Sequence, residues 1–211
     1  MGRPIVNPGR LYWTGQHWIN YLRPPDAGEN SAMVSLWHTH FSSAGEGTVA
    51  YVLIEHESPY YRICTDNPEL AAFIGNWMSG RGGMYDMELD VVPAVFSRSG
   101  NVLEAPAWTI ETADDLVIAR WDGLQPPELL EAPGPGLREG WDVFSCLFFA
   151  RSAQIMFNGH MIPGEPYPVD IWKPSLGGQR SSCVFALSET FIEASGQPGQ
   201  NEGTPIPRRR R

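Results

Sequence analysis

Glycine and proline punctuate this chain so often, 22 and 19 times in 211 residues, that only short, turn-bounded elements fit between them. Short runs of apolar and aromatic residues separated by turns are the pattern of a many-stranded β protein. A single window supports a helix. Thr65, Asp66 or Asn67 can cap it, Pro68 suits the first helical position, and Glu69 complements the positive end. Leu70, Ala71, Phe73, Ile74 and Trp77 form its apolar stripe, and Ser79-Gly-Arg-Gly-Gly83 ends it. One short α-helix is therefore expected near residues 67–78.

Strands are expected over residues 33–41 and 48–57, joined by a polar, glycine-containing link, with a short third strand at 60–64. Residues 84–92 alternate, with Tyr85, Met87, Leu89 and Val91 on one side and Asp86, Glu88 and Asp90 on the other, which predicts a half-buried strand. Residues 94–97 and 102–105 flank a turn signal, as do 108–112 and 116–122. Residues 125–140 carry four prolines and read as a long loop. Residues 141–150 are apolar on both faces and predict a central strand; 153–157 and 160–162 flank Asn158-Gly159, a strong hairpin signal. Residues 169–173 and 181–192 complete the set. Roughly ten strands with one helix predict a mostly β fold, an antiparallel β-barrel, with a calycin-like barrel or a sandwich as the alternative. The organisation expected is an irregular segment over 1–31 packing on the barrel, a single antiparallel β domain over 32–194, and a disordered tail over 195–211 ending in four arginines.

The formal charge is -9, and the balance without Arg208–Arg211 is 11 basic against 24 acidic residues, or -13. Such a body repels phosphate backbones, so no nucleic-acid partner is expected. No apolar run is long enough for a membrane-spanning helix, and residues 1–8 lack the apolar core of a secretory signal, so a cytoplasmic protein without a membrane partner is expected. Cys64, Cys146 and Cys183 are far apart and odd in number, unlike a disulfide framework or a zinc ribbon. Glycine-rich dinucleotide and nucleotide-phosphate motifs and the nucleophile elbow of α/β-hydrolases are missing from the sequence, so no organic cofactor is implied.

His38-Thr39-His40 is the most suggestive local feature. Residues two apart on a strand face the same side, so both imidazoles can converge. Val34 and Leu36 share that face and point it inward. With the turn centred near Gly45, His40 would lie opposite Ala50 and His38 opposite Val52. Imidazoles titrate near neutrality and can both give and take a proton. The expected function is binding of a small apolar or aromatic molecule in an end cavity of the barrel. Acid/base proton-transfer chemistry of the lyase, hydratase or isomerase type would be carried by His38 and His40. Trp37, Tyr61 and Trp141, aromatics near loop–strand junctions, and Arg120 and Arg151, able to pair with a carboxylate, are the expected substrate-binding residues.

The paired-histidine strand resembles the first cupin motif in having two histidines one residue apart. Glu46 follows His40 after five intervening residues, a longer spacing than in cupins, and Leu53 stands where their glycine would. The resemblance implies a metalloenzyme alternative with a transition metal held by His38, His40, Glu46 and His160. A third reading is a non-catalytic interaction protein whose acidic body or arginine tail docks a partner. A homo-oligomer is compatible with all three.

Overall fold

The computed structural model describes residues 10–132 and 141–193. The first half of the chain supplies β1 (Arg10–Leu22), β2 (Ala32–Ser42), β3 (Gly47–Ile54), β4 (Tyr60–Thr65) and helix α1 (Pro68–Met78). Short strands β5 (Asp90–Pro93), β6 (Val95–Ser99) and β7 (Ala107–Glu111) lead to β8 (Leu116–Leu124), β9 (Glu128–Ala132) and the long β10 (Trp141–Phe157). After β11 (His160–Met161) and β12 (Pro168–Val169) come a one-turn helix α2 (Lys173–Leu176), β13 (Arg180–Ser181) and β14 (Cys183–Glu193). Among the described residues no helix is long and apolar enough to cross a membrane.

The strands form a nearly closed, mostly antiparallel β-barrel sheet in the order β5-β4-β3-β2-β1-β14-β10-β8-β7-β6, with β9 and β11 pairing on β10. Its two ends meet through the chain itself. Ala94 alone separates β5, which pairs parallel to β4, from β6, which pairs antiparallel to β7. The Ala94 N–H donates to the Thr65 carbonyl at 2.9 Å. Near closure leaves few unpaired backbone groups at an edge.

The barrel interior is filled. Trp18 stacks on Phe185 with ring centroids 4.1 Å apart, and Phe185 stacks on Phe148 at 5.2 Å. Trp121 is fully buried and its Nε1–H donates to the Ile19 carbonyl at 2.8 Å. Asn20, 0% exposed, donates from Nδ2 to the Arg120 carbonyl at 3.0 Å, which satisfies a polar group the interior would otherwise penalise. The other face of the same sheet is covered too. Helix α1 lays Leu70, Ile74 and Trp77 against Trp13, Val49 and Tyr51. The helix begins as expected, with Asn67 Oδ1 accepting from the N–H groups of Glu69 and Leu70 at 3.1 Å each. Asn158 (φ 48°) and Gly159 (φ 83°) make the two-residue turn that pairs Phe157 with His160, as the hairpin signal predicts.

Several sequence expectations need correction. Residues 1–31 are not all irregular: Arg10–Leu22 is β1, at the centre of the sheet between β2 and β14. Both its faces are covered, so it mixes Trp18, Asn20 and Leu22 inward with His17, Ile19 and Tyr21 outward, and no polar alternation marks it. The β domain therefore begins before residue 32. Residues 84–92 are not one strand; a 3-10 turn occupies Gly83–Asp86 and only Asp90–Pro93 pairs. The Asp86 carboxylate accepts from the N–H groups of Gly80 (2.7 Å) and Gly82 (2.6 Å), which favours the turn over an extended chain. Residues 102–104 form a turn and Ala105 lies outside any strand, and β6 pairs with β7 instead. Part of the 125–140 loop is strand β9. Residues 169–173 give only the end of β12 and the start of α2. The β2–β3 register is shifted by four residues: Leu36 faces Ala50 and His38 faces Thr48, where Val52 was expected. The expected tail with Arg208–Arg211, the first nine residues and residues 133–140 lie outside the described residues.

Candidate functional site

The sequence-derived residues are distributed over several places. His38 and His40 do share the inward side of β2, with rings 4.9 Å apart, at one mouth of the barrel. His38 is half-buried and His40 exposed. His38 Nδ1 lies 3.0 Å from Thr48 Oγ1, and its ring sits 5.3 Å from Trp108. Trp108 and Trp18, packed at 5.9 Å, fill the space beneath. Burial lowers the His38 pKa, and the neighbouring His40 and Arg98 push it the same way. Glu46 is exposed on the β2–β3 turn, and its carbonyl accepts from Asn67 Nδ2 at 2.9 Å. His160 is 6.0 Å from His56, beyond the opposite end of β3. The metal alternative is thus not assembled from these four, and among the described residues no three His, Cys, Asp or Glu side chains converge to hold an ion.

Arg120 is exposed and forms a bidentate pair with Asp122, Nε to Oδ2 at 2.8 Å and Nη2 to Oδ1 at 3.0 Å. Arg151 is exposed on a shallow polar groove it shares with Gln154 and Glu165. Tyr61 donates its hydroxyl to Glu55. Trp141 packs edge-on against Tyr12 at 4.1 Å. Of the expected substrate-binding residues, only Trp37 borders the large apolar cavity described next.

That cavity holds about 530 Å³ and lies on the outer face of the barrel sheet, not inside it. Ile19, Met33 and Val184 from the strands form its floor, Met84 and Leu130 stand at its sides, and Trp172 closes one wall. Its volume falls within the ~300–1,000 Å³ typical of small-molecule sites.

A row of polar side chains crosses four adjacent strands beneath this apolar space. Ser145 of β10 donates from Oγ to Glu189 Oε1 of β14 at 2.7 Å. Glu189 Oε2 lies 3.6 Å from His17 Nδ1 of β1. His17 Nε2 is 2.9 Å from Ser35 Oγ of β2, and Ser35 Oγ is 2.7 Å from the Tyr85 hydroxyl in the 3-10 turn. The His17 ring stacks on Trp37 at 3.7 Å and 17°, which fixes its plane. Ser35 is fully buried and Glu189 is 7% exposed. The Tyr21 hydroxyl, donating to Met84 Sδ at 3.7 Å, adjoins the row. Burial raises the pKa values of Tyr21 and Tyr85, so both phenols stay protonated and available as donors.

Backbone geometry places His17. The β1–β14 and β1–β2 pairings both shift register beside Gly15. A Cβ on Gly15 would lie 2.2 Å from the His38 carbonyl oxygen, so β1 and β2 approach as closely as they do only because that residue has no side chain.

Tyr85, Ser35 and His17 form a hydrogen-bonded run in which each hydroxyl or imidazole can both donate and accept, and the Glu189 carboxylate stands 3.6 Å beyond His17 Nδ1 at its end. His17, Ser35, Tyr85 and Glu189 have no common sequence motif. One sign was present: Ser145 interrupts the otherwise apolar run over residues 143–150, and a buried polar residue there demands a partner. Comparison of the chain with protein-family models, curated proteins and solved structures finds no match.

Proposed function

We propose that this protein binds a small apolar or aromatic molecule in the outer-face cavity, and that the Glu189–His17–Ser35–Tyr85 row serves proton-transfer chemistry on it, of the lyase, hydratase or isomerase kind. The observation that carries this reading is the coincidence of a cavity of about 530 Å³, with predominantly apolar walls, and a row of neighbouring ionisable and hydroxyl groups beneath it. Apolar walls supply binding by excluding water. The same exclusion strengthens the electrostatic pull of His17 and Glu189 on a bound molecule. The twin imidazoles at the barrel mouth lie over filled core, so they have less room beside them for a substrate.

Trp37 and Trp172 border the cavity, so tryptophan fluorescence reports its occupancy. Titration with a panel of small aromatic molecules should give saturable quenching. Met33→Trp, which would place an indole into the cavity, should abolish it. A null response across the panel, or one indifferent to Met33→Trp, refutes the binding reading. The chemical reading is tested by holding a ligand that binds in D2O with the protein. Exchange of a carbon-bound proton, seen by NMR with the intact protein and lost in His17→Ala, supports it, and exchange that survives His17→Ala overturns it.

A further inference from the structure

Beneath the cavity, one oxygen of a buried carboxylate lacks a donor. Glu189 is 7% exposed, its Oε1 is taken by Ser145, and its Oε2 has no hydrogen-bond partner. The nearest cationic candidate, His17 Nδ1, stands 3.6 Å away, beyond hydrogen-bond length. Buried carboxylates ordinarily collect several donors, because the desolvation of an ionised oxygen is otherwise uncompensated. Asn30 Oδ1, a second acceptor at the cavity, also lacks a partner. The cavity thus offers acceptors to an incoming molecule. The aromatic residues Tyr21, Trp37, Tyr85 and Trp172 line the same cavity, and aromatic rings attract a positive charge through their quadrupoles. Arg81 also lines the cavity, so Glu189 is not its only charged residue.

Resting on the binding reading above, we infer that the ligand is an apolar or aromatic amine whose ammonium group donates to Glu189 Oε2 while its hydrocarbon body occupies the apolar space. An anionic ligand would meet the Glu189 carboxylate as a like charge, and a plain hydrocarbon would leave Oε2 without a donor.

Four probes of nearly equal size test this against the intact protein at pH 7, by calorimetry and by tryptophan fluorescence: 2-phenylethylamine, 2-phenylethanol, ethylbenzene and 3-phenylpropionate. The amine should bind at least about tenfold more tightly than the alcohol or the hydrocarbon, the expected scale of a charge-assisted bond in a dry site, and the acid should bind least. In Glu189→Gln the amine should lose its advantage over ethylbenzene. Ethylbenzene or the alcohol binding as tightly as the amine, or the acid binding best, overturns the inference while leaving the cavity as a binding site. A preference for the amine that persists in folded Glu189→Gln also overturns it. If Glu189→Gln does not fold, the ranking of the four probes on the unaltered protein decides. Failure of all four to bind refutes the cavity reading itself, and this inference with it.

Discussion

Ser35 joins the two halves of the polar row, and its removal should expose that dependence quantitatively. Its hydroxyl meets His17 Nε2 at 2.9 Å and the Tyr85 hydroxyl at 2.7 Å, and the side chain is fully buried. Ser35→Ala deletes one oxygen and leaves little room for water to replace it. His17, with a side chain 13% exposed, cannot turn to solvent without giving up its stack on Trp37. Leaving a buried polar group unpaired costs about 1–3 kcal/mol. With two groups affected and Tyr85 only half-buried, the expected loss is about 2 kcal/mol. At this chain length that corresponds to a fall in Tm of roughly 4–8 °C. Tyr85→Phe removes only the second bond and should cost about 1 kcal/mol. The double variant should cost about 1 kcal/mol less than the sum of the two, because the Ser35–Tyr85 bond is already absent in each single variant. Urea denaturation of all four proteins, with an unchanged m value, measures this coupling. A coupling of zero, or a Ser35→Ala protein as stable as the original, would refute the view that these residues act as one hydrogen-bonded unit.

Three further perturbations test the framework that holds the site. Gly15→Ala should destabilise the protein by about 3 kcal/mol in urea titration, since a Cβ there would sit 2.2 Å from the His38 carbonyl oxygen and the backbone must shift; a neutral result would disprove the close approach of β1 and β2. Asn67→Ala should cost about 1–2 kcal/mol by the same assay, because the side chain caps α1 and its Nδ2 donates to the Ala44 and Glu46 carbonyls at 3.2 and 2.9 Å. Alkaline pH should also destabilise the fold. Burial pushes the Cys64 thiol up to about 11 and the Cys183 thiol up to about 12 from an ordinary 9.0. The unfolded chain therefore releases these protons first, so the stability they contribute is complete below about pH 9 and is lost as pH rises toward the folded values. Denaturation midpoints from pH 8 to 11 should fall, and fall less in Cys183→Ala; a flat profile would contradict the burial of both thiols.

What the sequence conveyed and what it withheld follow from the range of each signal. Helix α1 was readable because Asn67, Pro68 and the apolar stripe are neighbours in the chain, and the β10–β11 hairpin because Asn158-Gly159 is a two-residue code. The barrel class was readable from the density of strands and turns. β1 was not, since a strand buried on both faces loses the alternation that marks one, and Gln16 and Asn20 point inward to partners from distant strands. The inward face of His38 and His40 was deduced correctly from the period of two. Their register was not, because the length of the β2–β3 turn does not determine which residues it pairs. The His17–Glu189 contact joins the two ends of the described chain and depends on register shifts beside Gly15, which no local pattern encodes.

The location of ligand binding can be read directly from the tryptophan indole N–H signals of 15N-labelled protein. Trp37 and Trp172 border the outer-face cavity, whereas Trp18, Trp108 and Trp121 belong to the core inside the barrel. On titration with 2-phenylethylamine, the Trp37 and Trp172 signals should move together and saturate while the three interior signals stay in place. Saturating shifts at Trp18, Trp108 or Trp121, with Trp37 and Trp172 unmoved, would contradict the account and return the site to the barrel's own interior or mouth.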